Sequence, residues 1–246
     1  MGYSAYRYID IERQGRVLTL RLNRPPMNPI HIDLHNELSR IFYDVQVDHE
    51  TDVVVFTGAG EVFSAGGDIP MMQKRIDDPE LFNRKNLEMK KMIFGLLDLE
   101  KPVVCRINGD CIGLGATLAL LCDITIAVED ARLGDPHVKM GYVAGDGGAV
   151  IWPQLVGFAR AKEYLLTGDL LTAKEAERLG LINHAVPREQ LEHARVLITA
   201  GTLHPKPMIT RTTSRPLSPT GRSSGCNAVL IRSTRPLALY PASRKA

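Results

Sequence analysis

Apolar and polar positions alternate from Tyr8 to Glu12 and from Val17 to Leu22, on either side of Gln14-Gly15, which predicts a hairpin. The run Asn23-Arg24-Pro25-Pro26-Met27-Asn28-Pro29 continues neither strand, because proline lacks an N–H and fixes its own backbone angle. From Ile32 to Val47 the period changes: Leu34, Leu38, Ile41, Phe42 and Val45 recur at helical spacing, with His31 and His35 expected exposed near the start. Val53-Val54-Val55-Phe56 reads as a buried strand. Residues from Met71 to Phe82 are polar and mobile in character, whereas Leu87 to Leu99 is helical up to Lys101-Pro102. Further strands are expected at Ile124 to Val128 and Leu181 to Val186. Helices are expected at Ala149 to Val156, Ala159 to Leu166, Ala173 to Leu179 and onward to about Thr199, with Trp152 in the core and His184 and His193 solvated.

The stretch from Pro102 to Asp123 organises the chain. An apolar strand, Val103 to Ile107, enters a turn at Asn108-Gly109, and Gly113-Leu114-Gly115 opens a helix of small and aliphatic residues. Free N–H groups at a helix start carry partial positive charge, so an oxygen bearing or acquiring negative charge is expected above Leu114. A second strand runs through Thr57-Gly58-Ala59-Gly60 into Phe63-Ser64-Ala65-Gly66-Gly67-Asp68. Two strand-to-glycine-to-helix units can supply two N–H donors to one oxygen, an oxyanion hole.

Composition narrows the class. The chain has 246 residues, 44% of them hydrophobic, enough to fill a sizeable core, and its formal net charge is +2. The charge is uneven, since no Asp or Glu follows Glu192 and the last stretch is basic. That tail lacks the dense lysine or arginine run of a nucleic-acid or membrane arm, so nucleic acid is not expected as a partner. Cys105, Cys111, Cys122 and Cys226 show no metal-ligand spacing and read as small residues in a reducing compartment. No run approaches a membrane span and no apolar signal core opens the chain, so a cytoplasmic location is expected.

Phe-Ser-Ala-Gly-Gly-Asp at 63 to 68, Asn-Gly at 108 to 109, and Gly-Leu-Gly-Ala with Leu-Cys-Asp ending at 123 resemble the two signatures of the enoyl-CoA hydratase/isomerase (crotonase) superfamily. Gly145-Asp146-Gly147-Gly148, Thr167-Gly168-Asp169 and Ala173-Lys174-Glu175-Ala176 follow in matching order, and the likeness covers about residues 6 to 200. The resemblance implies an α/β class: a crotonase-like spiral of repeated strand-strand-helix units with a helical C-terminal region. It implies an acyl-CoA thioester substrate, no separate cofactor or metal, and a homotrimer or dimer of trimers. It further implies Gly67 and Leu114 as donors to the enolate oxygen, Gly113 beside them, and Ala65, Asp68 and Ile69 along the CoA. The loop at 23 to 29 would help cover the nucleotide.

Two departures stand out. Where family hydratases carry paired glutamates, this chain has Thr117 and His137. Thr117 can hydrogen-bond a water and His137 can titrate near neutral pH. Asp146 lies where several relatives use an aspartate and is the expected acid/base, with an N-cap as the alternative role. A single carboxylate can shift a proton between carbons, which inclines the expected reaction to isomerisation. Thioester hydrolysis, dehalogenation or a non-catalytic CoA- or RNA-binding role are the alternatives. The second departure is the segment 201–246, which lacks the amphipathic pattern of subunit-bridging helices. It is expected to be a poorly ordered tail, or the product of a shifted reading frame, with a weakened trimer as the consequence.

Overall fold

Alternation yields the hairpin where expected: β1 (Ile9–Gln14) pairs antiparallel with β2 (Val17–Leu22), Ile9 opposite Leu22 and Gln14 opposite Val17. From β2 onward the sheet is parallel, adding β3 (Val53–Gly58), β4 (Val103–Ile107), β6 (Ile124–Val128) and β9 (His184–Val186). Every residue of β3 is buried, as a parallel strand covered on both faces requires. A second sheet joins β5 (Cys111–Ile112), β7 (Arg132–Gly134) and β8 (Leu171–Thr172). This computed structural model describes residues 2–203, so the expected tail, 201–246, lies outside the described residues beyond 203, as does Cys226.

The repeating unit explains why the site can form. In the units β4–β5–α4 (Leu114–Leu120) and β6–β7–α5 (Gly148–Thr167), the first strand joins the large sheet and the second the small one. Each unit therefore crosses from the large sheet to the small one before its helix begins. The core between the sheets and helices includes Phe56, Phe63, Leu118 and Trp152, all fully buried. The helix α5 is broken at Gly157, where the backbone leaves helical geometry. That break matches the two expected helical stretches.

Three expectations fail. Residues 71–82, expected to be polar and mobile, belong to α2 (Ile69–Asp77) and the start of α3 (Pro79–Leu97). Caps decide this: Asp68 accepts from the Met71 N–H at 3.1 Å, and Asp78 accepts from Glu80 and Leu81 at 3.0 Å. His35 is fully buried rather than exposed, because α3 lies on α1 (Ile32–Gln46) and brings Glu88 within 3.0 Å of its Nδ1. His31 is also largely covered, meeting the Tyr8 ring edge-on at 4.4 Å between centroids. At the C-terminal side, α6 (Ala173–Leu179) is as expected, the strand from Leu181 contracts to β9, and α7 spans Leu191–Leu203. His193 is exposed and His184 half-buried.

Candidate active site

The two glycine segments meet. Gly66 adopts φ +83, and a Cβ there would come within 2.7 Å of the Ile112 carbonyl oxygen, so the backbones approach as only glycine permits. Ser64 fixes the first segment by donating its hydroxyl to the Asn28 carbonyl at 2.9 Å and accepting from the Gly66 N–H at 3.1 Å. Asn28, fully buried, donates to the carbonyls of Ala59 and Val62 at 2.8 and 2.7 Å. The loop at 23 to 29 thus holds the Gly66-Gly67 turn in place. On the second segment, Gly113 precedes α4 as its N-cap and Leu114 opens the helix. Among the described residues the N–H groups of Gly67 and Leu114 donate to no acceptor.

Beside Gly113 and Gly147 stand His137 and, from α4 itself, Thr117. A Cβ on Gly113 would lie 3.6 Å from Cε1 of His137, and one on Gly147 would lie 2.8 Å from the Thr117 methyl. Thr117 donates its hydroxyl to Asp146 Oδ1 at 3.1 Å, and the Gly148 N–H reaches the same oxygen at 3.4 Å. His137 Nε2 is 3.4 Å from Asp146 Oδ2. The other ring nitrogen, Nδ1, bonds Asp135 Oδ1. Thr117, His137 and Asp146 therefore converge beside Gly113, the residue that precedes Leu114.

Burial sets the electrostatics. Desolvation pushes the Asp146 carboxyl above its ordinary value; nearby His137 opposes this and Asp135 adds to it. For His137, burial alone would lower the pKa, but the bond to Asp135 and the charges of Asp146 and Asp135 outweigh it and raise it. One proton is thus contested between a carboxyl that resists ionisation and an imidazole that holds its proton. Asp135, His137 and Asp146 each place one possible ligand atom within 4.8 Å of the others. Both imidazole nitrogens face carboxylates, however, which favours a protonated ring that has no lone pair for a metal.

Asp135 escaped the sequence reading. Its only local signal is the following proline, the pattern of a residue that caps a short turn, and it does accept from the His137 N–H at 3.4 Å. Its second role depends on the turn folding His137 back on it. Asp146 is not the helix cap, for Gly147 holds that position without a side-chain bond. Of the residues expected along CoA, Ala65 is half-buried and Ile69 is 63% exposed. Asp68 is held by its cap and by an ion pair with Arg24 at 2.9 Å.

Residues 12–220 match the family model described as Enoyl-CoA hydratase/isomerase. The probable mitochondrial enoyl-CoA hydratase of Dictyostelium discoideum is 36% identical over 181 residues, 73% of this chain and 64% of that protein. The chain thus spans just under two thirds of that relative's length. The crotonyl-CoA hydratase of Syntrophomonas wolfei is 36% identical over 76% of this chain and 72% of its own. Among solved structures, the enoyl-CoA hydratase from Bacillus anthracis superposes with a TM-score of 0.74 at 32% identity, covering 80% of this chain and 77% of that one. The crotonase fold is thereby established for the described residues.

Proposed function

Because the chain belongs to the enoyl-CoA hydratase/isomerase family, we propose that it adds water to the double bond of a 2-enoyl-CoA thioester, with Asp146 and His137 as the proton-transferring pair. The observation that carries this reading is the 3.4 Å contact between buried Asp146 and half-buried His137, both titratable. Isomerisation was the expected reaction when Asp146 stood alone. A partner holding a proton supplies both halves of a hydration, a base for water and an acid for carbon.

The steps balance with these residues. Asp146, ionised, takes a proton from water as its oxygen attacks C3. The electron pair of the double bond moves to the thioester oxygen, where the Gly67 and Leu114 N–H groups stabilise it. As the enolate collapses, imidazolium His137 delivers a proton to C2. Protonated Asp146 then returns its proton to His137 across their contact, and the pair is reset. Thr117, bonded to Asp146, orients the carboxylate and favours its ionised form.

No helix among the described residues is long and apolar enough to cross a membrane. Self-association is part of this reading, since Val150, Phe158 and Leu166 leave α5 57%, 73% and 71% exposed. The deciding experiment follows the ultraviolet absorbance of crotonyl-CoA and of a 3-enoyl-CoA with the enzyme. Loss of conjugation from crotonyl-CoA with formation of 3-hydroxybutyryl-CoA supports hydration. Gain of conjugation from the 3-enoyl thioester without hydroxyacyl product would assign isomerisation instead.

A further inference from the structure

Arg75, on α2, has no carboxylate partner among the described residues. Its Nη2 donates to Asn86 Oδ1 at 2.8 Å, its guanidinium lies over the Phe82 ring at 5.1 Å, and its buried Nε has no acceptor. No ion pair reaches it among the described residues, and no Asp or Glu follows Glu192 in the rest of the chain. Burial pushes the guanidinium down from its ordinary value, yet arginine keeps its charge in proteins. A half-buried cation that stays charged and keeps donors unused is costly unless an anion visits it.

Its position is the second observation. Met72, one helical turn before Arg75 on the same face, reaches back so that a Cβ on Gly67 would meet its methyl at 2.6 Å. On α3, Ile93 comes within 4.0 Å of a Cβ on Gly147. Asn86, which holds Arg75, lies seven residues earlier on that helix, about 10 Å along its axis at 1.5 Å per residue. Met72 of α2 and Ile93 of α3 thus border the oxyanion donors and the acid/base turn, and Arg75 follows Met72 by one turn on the same face of α2.

We infer that Arg75 receives a distal carboxylate on the acyl group, so that the preferred substrates are CoA thioesters of dicarboxylic acids rather than of simple fatty acids. This rests on the acyl-CoA reading given above. Asn86 and Phe82 hold the guanidinium by one edge and one face, leaving the Nη1 N–H groups for a carboxylate oxygen.

Calorimetry of the full chain with adipyl-CoA and hexanoyl-CoA, equal in length, tests the inference without requiring turnover. Glutaryl-CoA and suberyl-CoA bracket the length. The expected result is that at least one dicarboxylic thioester binds roughly tenfold or more tighter than its uncharged counterpart. Arg75→Met should abolish that difference and leave hexanoyl-CoA within about twofold. Equal or weaker binding of every dicarboxylic thioester, or equal loss of both ligands in Arg75→Met, overturns it. If Arg75→Met does not fold, Arg75→Lys must keep part of the preference, and the wild-type preference decides. Discrimination in binding together with no hydration of crotonyl-CoA or of 2,3-dehydroadipyl-CoA would sink the hydration reading alone; binding of neither saturated thioester would sink both.

Discussion

Nε2 of His137 lies 3.4 Å from Oδ2 of Asp146, while the opposite ring nitrogen is bonded to Asp135. The imidazole is therefore fixed at both ends between two buried carboxyl groups, one with 1% and the other with 6% of its side chain exposed. Where family hydratases use two glutamates, this arrangement offers a carboxylate and an imidazolium. The proposed acid/base, Asp146, stands on the loop after His137, and Thr117 donates a hydrogen bond to it at 3.1 Å.

Asp146→Asn should reduce turnover by roughly 10²–10⁴-fold, the usual contribution of a positioned general base. CoA affinity should hardly change, because the amide keeps the size of the side chain and its Oδ1 can still accept from Thr117. Stability should not fall. The raised Asp146 pKa means the folded state binds more protons than the unfolded state between the two values, so native stability declines as pH rises through that window. Removing the ionisable group removes this loss. A melting temperature at pH 8 clearly below wild type, with activity retained within tenfold, would assign Asp146 to structure.

The pH profile of kcat/KM should be bell-shaped, with both limbs displaced upward. Asp146 must be ionised, and since burial raises its pKa, activity falls as pH drops through a value above the ordinary aspartate range. His137 must be protonated; its pKa is raised once Asp135 and Asp146 outweigh burial, so activity falls as pH rises through a value above 6.5. The observed limbs belong to the pair rather than to either residue. Asp135→Asn withdraws the largest upward influence on His137, and the alkaline limb should move to lower pH. A uniform drop in rate with an unmoved limb would show that Asp135 serves packing only.

Thr117→Val keeps the shape of the side chain but deletes its bond to Asp146. That bond lowers the Asp146 pKa, so the acid limb should shift to higher pH, with a modest loss of rate at neutral pH and little at pH 9. Rate measurements across pH 5 to 9 check this; an acid limb identical to wild type would remove Thr117 from the proton-transfer network.

Much of this site was legible in the chain, for a physical reason. Glycine is required where backbones touch, as at Gly66 against Ile112, and such positions announce themselves locally. Thr117 could be singled out by its position in the second signature and Asp146 by the glycine-rich turn from Gly145 to Gly148. What could not be read is contact made by folding. His35 looked like an exposed residue near a helix start, because Glu88 is 53 positions away. The helix α2 was hidden by its charges, although Asp68 and Pro70 carry the cap signal that sets its start. The pairing of Asp135 with His137 depends on a tight turn whose side-chain directions alternation cannot supply, and Arg75 gained meaning only when its partners proved to lack a carboxylate.

Two glycines in one turn offer the sharpest test of the Asp135 anchor. A Cβ on Gly148 would stand 2.1 Å from Asp135 Oδ2, too close for any real contact, and 3.2 Å from the Ala144 side chain. Gly148→Ala must therefore displace the Asp135 carboxylate or the start of α5, at an overpacking cost of about 1–3 kcal/mol. Either movement loosens His137 from its anchor. A Cβ on Gly145 meets nothing nearer than the Val143 methyl at 3.5 Å, an ordinary contact. Gly145→Ala should thus keep both stability and rate. Gly148→Ala should lower the melting temperature, and at a temperature where it remains folded its kcat should fall at least tenfold, with the alkaline limb of its pH profile moved to lower pH as in Asp135→Asn. Equal behaviour of the two alanine variants, or a folded Gly148→Ala with wild-type kcat and limb, would show that the carboxylate beside His137 does not govern the proton it holds.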